Sequence, residues 1–130
     1  PKIIVMGDFN DGYNTASIKH LVKDQFYNPM ERLKTTGSGS STYNDEWYLF
    51  DQIIFSNNFL EEQISGFRFK YADVYDPKFI RTWRGKRKNK PYRTFVGGWY
   101  QAGYSDHFPV YAYLEMNKLL KDDEEVKKNL

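Results

Sequence analysis

Apolar residues in this chain fall into short runs, and the spacing within each run predicts its element. Lys2-Ile3-Ile4-Val5-Met6 is continuous and mainly β-branched, which predicts a strand buried on both faces that stops at Gly7. Ile18, Leu21 and Val22 recur at helical spacing, while Lys19, His20 and Lys23 fall mostly elsewhere on the surface. A helix capped by Asn14 or Thr15 is expected there, with His20 in solvent. Pro29 interrupts the chain beyond this helix, and Met30-Glu31-Arg32-Leu33 predicts a single helical turn. Gly37-Ser38-Gly39-Ser40-Ser41 is a loop by composition, too short to link domains.

The run of residues 47–55 is apolar except for Asp51 and Gln52, so a central strand is expected. Its alternation puts Asp51 on one face with Leu49 and Ile53. There the carboxylate needs a partner, unless a bulge or strand end releases it to water. Phe67-Arg68-Phe69-Lys70-Tyr71 alternates strictly, as a strand with one wet face does. After Pro109, which cannot donate to a ladder, Val110-Tyr111-Ala112-Tyr113-Leu114 alternates small or aliphatic with aromatic side chains and predicts a packed strand. Residues 118–130 have the charge pattern of an exposed terminal helix that docks through Leu119 and Leu120.

At 130 residues and 40% hydrophobic, the chain has material for one domain with a real core and no second one. Eleven tyrosines and ten phenylalanines suit a sheet-rich fold better than a helical bundle. The absence of cysteine removes disulfides and thiolate zinc sites. No apolar run approaches the length of a membrane span, and no signal peptide is evident. Because the chain opens on Pro1, its natural beginning is expected further upstream, and localisation stays open.

A net charge of +2 is too small to argue for a nucleic-acid partner, but its distribution is uneven. Arg81, Arg84, Lys86, Arg87, Lys88, Lys90 and Arg93 crowd one segment, with Tyr75, Phe79 and Trp83 nearby, whereas Asp122, Asp123, Glu124 and Glu125 cluster near the end. Cations interleaved with aromatics suit phosphate backbones and stacked bases. A solvated loop is the alternative for the same composition.

Three segments share one arrangement, an apolar strand with a carboxylate at its rim or heart: Asp8, Asp51 and Asp106. Asn10 accompanies the first and His107 the third. By itself Ser105-Asp106-His107 fits a loop histidine with a capping aspartate as well as a catalytic one. Hydrolysis of a phosphate ester needs a hard cation held by oxygen ligands, a group that orients or deprotonates water, and donors for the charge developing on phosphate. Carboxylates supply the first two, and an asparagine amide and a histidine ring N–H supply the third.

In these residues the chain resembles the endonuclease/exonuclease/phosphatase superfamily of metal-dependent phosphoesterases. Gly7-Asp8-Phe9-Asn10 is similar to its Gly-Asp-Phe-Asn motif, Phe50-Asp51-Gln52-Ile53 resembles its Asp-centred strand, and Ser105-Asp106-His107-Phe108-Pro109-Val110 resembles its closing motif. All three occur in family order, and residues 41–56 and 91–113 resemble bacterial members. The resemblance implies that Asp8 orients or activates the attacking water and Asn10 stabilises the phosphate. It further implies that His107 contacts the scissile phosphate, oriented by Asp51, and that Asp106 with Asp8 helps hold Mg²⁺, with Mn²⁺ as a substitute. Arg84 and Arg93, from the basic segment, are the further candidates for substrate phosphate.

The implied fold is α/β of the α+β kind: part of a four-layer α/β sandwich, with a mixed, mostly antiparallel sheet and flanking helices. In the family the Gly-Asp-Phe-Asn motif opens the second half of the domain, and here it begins at residue 7. The glutamate that is the family's principal metal ligand has no counterpart, since Glu31 and Glu46 both come after that motif. Residues 1–130 are therefore expected to form the C-terminal half of one domain. The missing half, or a second copy of this chain, would then cover the sheet face. The expected activity is hydrolysis of a phosphate ester, with nucleic acid among the candidate substrates. The alternative is a binding or assembly fragment on the same scaffold that does no chemistry.

Overall fold

The computed structural model describes residues 1–35, 39–62 and 66–117. The expected helix over 118–130, with its acidic cluster, lies outside the described residues, as do Gly37 and Ser38 of the expected loop.

Strand β1 (Ile4–Asp8) leads to helix α1 (Ala16–Val22), the two-residue strand β2 (Phe26–Tyr27) and helix α2 (Met30–Thr35). A hairpin of β3 (Ser41–Tyr43) and β4 (Glu46–Tyr48) precedes β5 (Asp51–Ser56) and the long β6 (Gly66–Val74). The small hairpin β7 (Phe95–Val96) and β8 (Trp99–Tyr100) comes before the last described strand, β9 (Val110–Asn117). The fold is mixed α+β, and every strand pair among the described residues is antiparallel.

β5 is the central strand of the order β1-β5-β2. Ile53 and Phe55 on one of its faces pack with Phe59 against Phe69 of β6 and Val110, Ala112 and Leu114 of β9. Met30 of α2, Leu49, Val74, Ile80 and Phe108 form a second cluster. Gln52 is fully buried because its polar atoms are satisfied: its Oε1 accepts the Asn28 amide at 2.9 Å and its Nε2 donates to the Leu49 carbonyl. The Asn28 Oδ1 in turn accepts the Met30 N–H at 3.0 Å, which anchors the start of α2.

Several expectations need correction. The run of residues 47–55 is not one strand but two, β4 and β5, separated at Leu49-Phe50. Asn44 and Asp45 adopt φ of 46° and 68°, the turn geometry that matches strand twist, so β4 folds back on β3 before β5 begins. Asp51 thus opens β5, and Leu49 joins the cluster around Met30 instead of lying with Ile53. β1 forms where expected but is not buried on both faces: Ile4 and Met6 are 42% and 67% exposed. It pairs with β5 alone and is an edge strand among the described residues.

Strict alternation in β6 fails at a bulge between Phe69 and Tyr71. The extra residue changes the phase, so Ala72 and Val74 turn to the core while Tyr71 faces out and stacks on Tyr113 at 4.8 Å. Thr15 occupies the N-cap position of α1, but its hydroxyl donates to the Gly12 carbonyl at 2.9 Å instead of accepting a helix N–H.

Candidate active site

Antiparallel register puts Asp8, the last residue of β1, directly opposite Asp51, the first of β5. Gly7 reaches that position with φ of 151°, a backbone angle that a side chain disfavours, which is the local reason a glycine precedes Asp8. Beyond the strand the Asp8 Oδ1 accepts the Asn10 N–H at 2.9 Å, and Asn10 bends the chain away with φ of 50°. The Asn10 side chain is exposed beside a cleft of about 340 Å³ that Tyr13, Trp47 and Phe50 also line.

His107 comes to the same rim from the far end of the chain. Its Nδ1 lies 2.7 Å from the Asp51 Oδ2, with the two side chains 23% and 17% exposed. That is a close hydrogen bond in a partly dry setting, and it is the pairing expected of two residues 56 apart in sequence. Ligand atoms of Asp8, Asp51 and His107 all lie within 4.8 Å of one another. Asp8 is exposed and open to water, while Asp51 and His107 are half-buried behind it.

The loop that carries His107 is fixed at several points. The Ser105 Oγ accepts the His107 N–H at 3.1 Å, and the Ser41 hydroxyl donates to the Asp106 carbonyl at 3.2 Å. Ser41 and His107 form an isolated antiparallel bridge, and the Phe108 N–H donates to the Ser40 carbonyl at 2.7 Å. Phe108 is buried and stacks on Trp47 at 5.9 Å. Pro109 has no N–H to lose here, and its carbonyl accepts from Tyr75 at 2.7 Å.

Not all of the expected residues meet. Asp106 is exposed and is not among the three clustered groups. Arg84 is also exposed, its guanidinium 4.2 Å from the centre of the Trp83 ring. Arg93 is half-buried and donates to the Thr42 carbonyl at 3.1 Å, two residues along from Ser40. Ser41 and Thr42 carry no sequence signal, because their contacts reach across 65 and 51 residues with no motif to mark them. Gly103 is equally unmarked: a Cβ there would lie 2.3 Å from the carbonyl oxygens of both Tyr92 and Arg93.

Two facing carboxylates and a histidine bonded to one of them thus share one rim of an antiparallel α+β scaffold. The chain matches the model of the Endonuclease/Exonuclease/phosphatase family over residues 1–116, and it belongs to that family, within a phosphoesterase-type superfamily. No curated protein and no solved structure is significantly similar to it.

Proposed function

We propose that this chain carries the catalytic residues of a metal-dependent phosphoesterase that hydrolyses a phosphate ester by water attack. The observation that carries this reading is the group of Asp8, Asp51 and His107 within 4.8 Å, with the ring of His107 bonded to Asp51. Two carboxylates directly opposite each other on neighbouring strands repel unless positive charge lies beside them. Their oxygens suit a hard cation such as Mg²⁺ or Mn²⁺, and the water-exposed Asp8 is the residue that would hold it. Such an ion would neutralise charge on the phosphoryl oxygens and polarise the ester.

In this reading Asp8 accepts a hydrogen bond from the attacking water and orients it. Asp51 accepts from Nδ1 and fixes the ring, and with both ring nitrogens protonated His107 donates from Nε2 to a phosphoryl oxygen. The Asn10 amide donates to the same phosphate, and Arg84 and Arg93 bind phosphate away from the reacting bond. A partial domain belongs with this proposal. Exposed Ile4 and Met6 on a singly paired strand favour a further segment against β1 that brings the glutamate ligand.

The test is hydrolysis of bis(p-nitrophenyl) phosphate and p-nitrophenyl phosphate by the full protein with Mg²⁺ or excess chelator. Turnover with Mg²⁺ that chelator abolishes is expected. Undiminished turnover in chelator would refute the metal requirement. Absence of turnover under every metal would favour the binding or assembly reading.

A further inference from the structure

Seven cations lie between residues 81 and 93, and the structure separates them into two kinds. Arg81 is paired with Asp76 at 2.6 Å and Lys90 with Asp45, so these two serve the fold. Among the described residues no carboxylate bonds Arg84, Lys86, Arg87, Lys88 or Arg93. Four of these five line one cleft of about 370 Å³, together with Tyr92 and Trp99, and no acidic side chain lines it.

Arg87 and Arg93 are the inner pair. Neither is fully exposed, and the Arg87 Nη2 and Arg93 Nε are buried without a hydrogen-bond partner. Burial, and then the charge of Arg93, push the Arg87 guanidinium below its usual value. Asp45 opposes this, but its carboxylate is already engaged by Lys90, whose hydrogen bond and charge hold it below the usual carboxylate range. Two guanidinium groups held together, partly dry and short of negative charge, are an arrangement that folding alone disfavours. A dianion bound in the cleft would offset the charge of both.

We propose that Arg87 and Arg93 form a phosphate site separate from the Asp8–Asp51–His107 group, one that holds a second, non-reacting phosphate of the substrate. Calling the ligand substrate rests on the phosphoesterase reading; the anion site itself does not. The two sites are neighbours through the backbone: Arg93 donates to the Thr42 carbonyl, and Thr42 is next in the chain to Ser41, the bridge partner of His107. Adjacent Cα atoms are about 3.8 Å apart and bridged ones about 5 Å, so Thr42 and His107 are within roughly 9 Å at Cα. A ligand with a phosphate at each site carries at least two. Its source is either a nucleic-acid strand, with a base against the 77% exposed Trp99, or a compact polyphosphorylated molecule.

The experiment is titration with inorganic phosphate, tripolyphosphate and tetrathymidylate at low salt, read at the Trp99 indole N–H by NMR. Arg87→Gln should weaken inorganic phosphate at least tenfold and melt no lower than wild type, because it removes an unpaired charge; Arg87→Lys should keep part of the binding. His107→Asn should leave the Trp99 response to inorganic phosphate unchanged. With binding to the Trp99→Ala variant followed by isothermal titration calorimetry, a loss of tetrathymidylate affinity assigns the second phosphate to a strand, and tighter tripolyphosphate binding indifferent to Trp99→Ala assigns it to a small molecule. Phosphate binding unaffected by Arg87→Gln, or destabilisation by that substitution with binding intact, would overturn the site. Binding at Arg87 in a protein without hydrolytic activity would sink the phosphoesterase reading and leave the site standing.

Discussion

Replacing Gly103 by alanine probes how the loop that carries His107 is held. The added Cβ would sit 2.3 Å from the Tyr92 and Arg93 carbonyl oxygens and 2.6 Å from the Arg93 carbonyl carbon. Ordinary non-bonded contacts lie near 3.5 Å, so the overlap is roughly 1 Å with each atom. These atoms are backbone and cannot rotate aside. They are also tied down, since the Tyr92 carbonyl accepts the Tyr104 N–H at 2.7 Å and the Thr94 hydroxyl donates to the Gly103 carbonyl at 3.2 Å. Overpacking of this kind costs about 3 kcal/mol, the upper part of the usual range, and for a domain of this size that is roughly 10 °C in Tm. Thermal melting by circular dichroism reads the first effect. Chemical shifts of the His107 ring read the second, because a shifted loop stretches the 2.7 Å contact with Asp51. A variant that melts within about 2 °C of wild type and keeps the His107 shifts would refute the steric argument.

Asp51→Asn keeps the shape of the His107 pair and relieves the Asp8–Asp51 repulsion, so stability in urea should change by no more than about 1 kcal/mol. Hydrolysis should fall at least about tenfold, because the ring loses the anion that orients it; equal loss of stability and activity would make Asp51 a merely structural residue. The isolated chain should associate in sedimentation, or bind a separate segment along β1, since Ile4 and Met6 stay exposed there. A monodisperse monomer that does not bind the fluorescent dye ANS would argue against an unsatisfied sheet face.

Chemistry that resides in contiguous strings is legible in the sequence. Gly7-Asp8-Phe9-Asn10 and Ser105-Asp106-His107 are strings of this kind, and Asp51 interrupts an apolar run, so the clustered Asp8, Asp51 and His107 can be named before any fold is known, whereas Asp106, named with them, stays outside the cluster. The Asp51–His107 pair comes from the resemblance and not from the apolar pattern, since Asp51 opens β5 instead of lying inside a strand. The remainder depends on geometry that local patterns do not encode. Asn44-Asp45 is a weaker hairpin signal than Asn-Gly, so the β3–β4 hairpin goes unmarked, and the break between β4 and β5 at Leu49-Phe50 is hidden within an apolar run. The bulge in β6 carries no glycine or proline to mark it, and it reverses which side of the strand Tyr71 faces. Along residues 81–93 one arginine reads like another. Arg84 stands out by its place beside Trp83, yet it lies on the surface, while burial beside Arg93 distinguishes Arg87.

The central claim is that the group of Asp8, Asp51 and His107 hydrolyses phosphate esters, and the measurement that tests it most directly is the rate of His107→Ala. In the full protein with saturating Mg²⁺ and bis(p-nitrophenyl) phosphate, the turnover number should fall at least about a hundredfold, the scale of a lost charge-stabilising donor. Circular dichroism should show the variant folded. A folded His107→Ala protein that turns over at the wild-type rate would contradict the account.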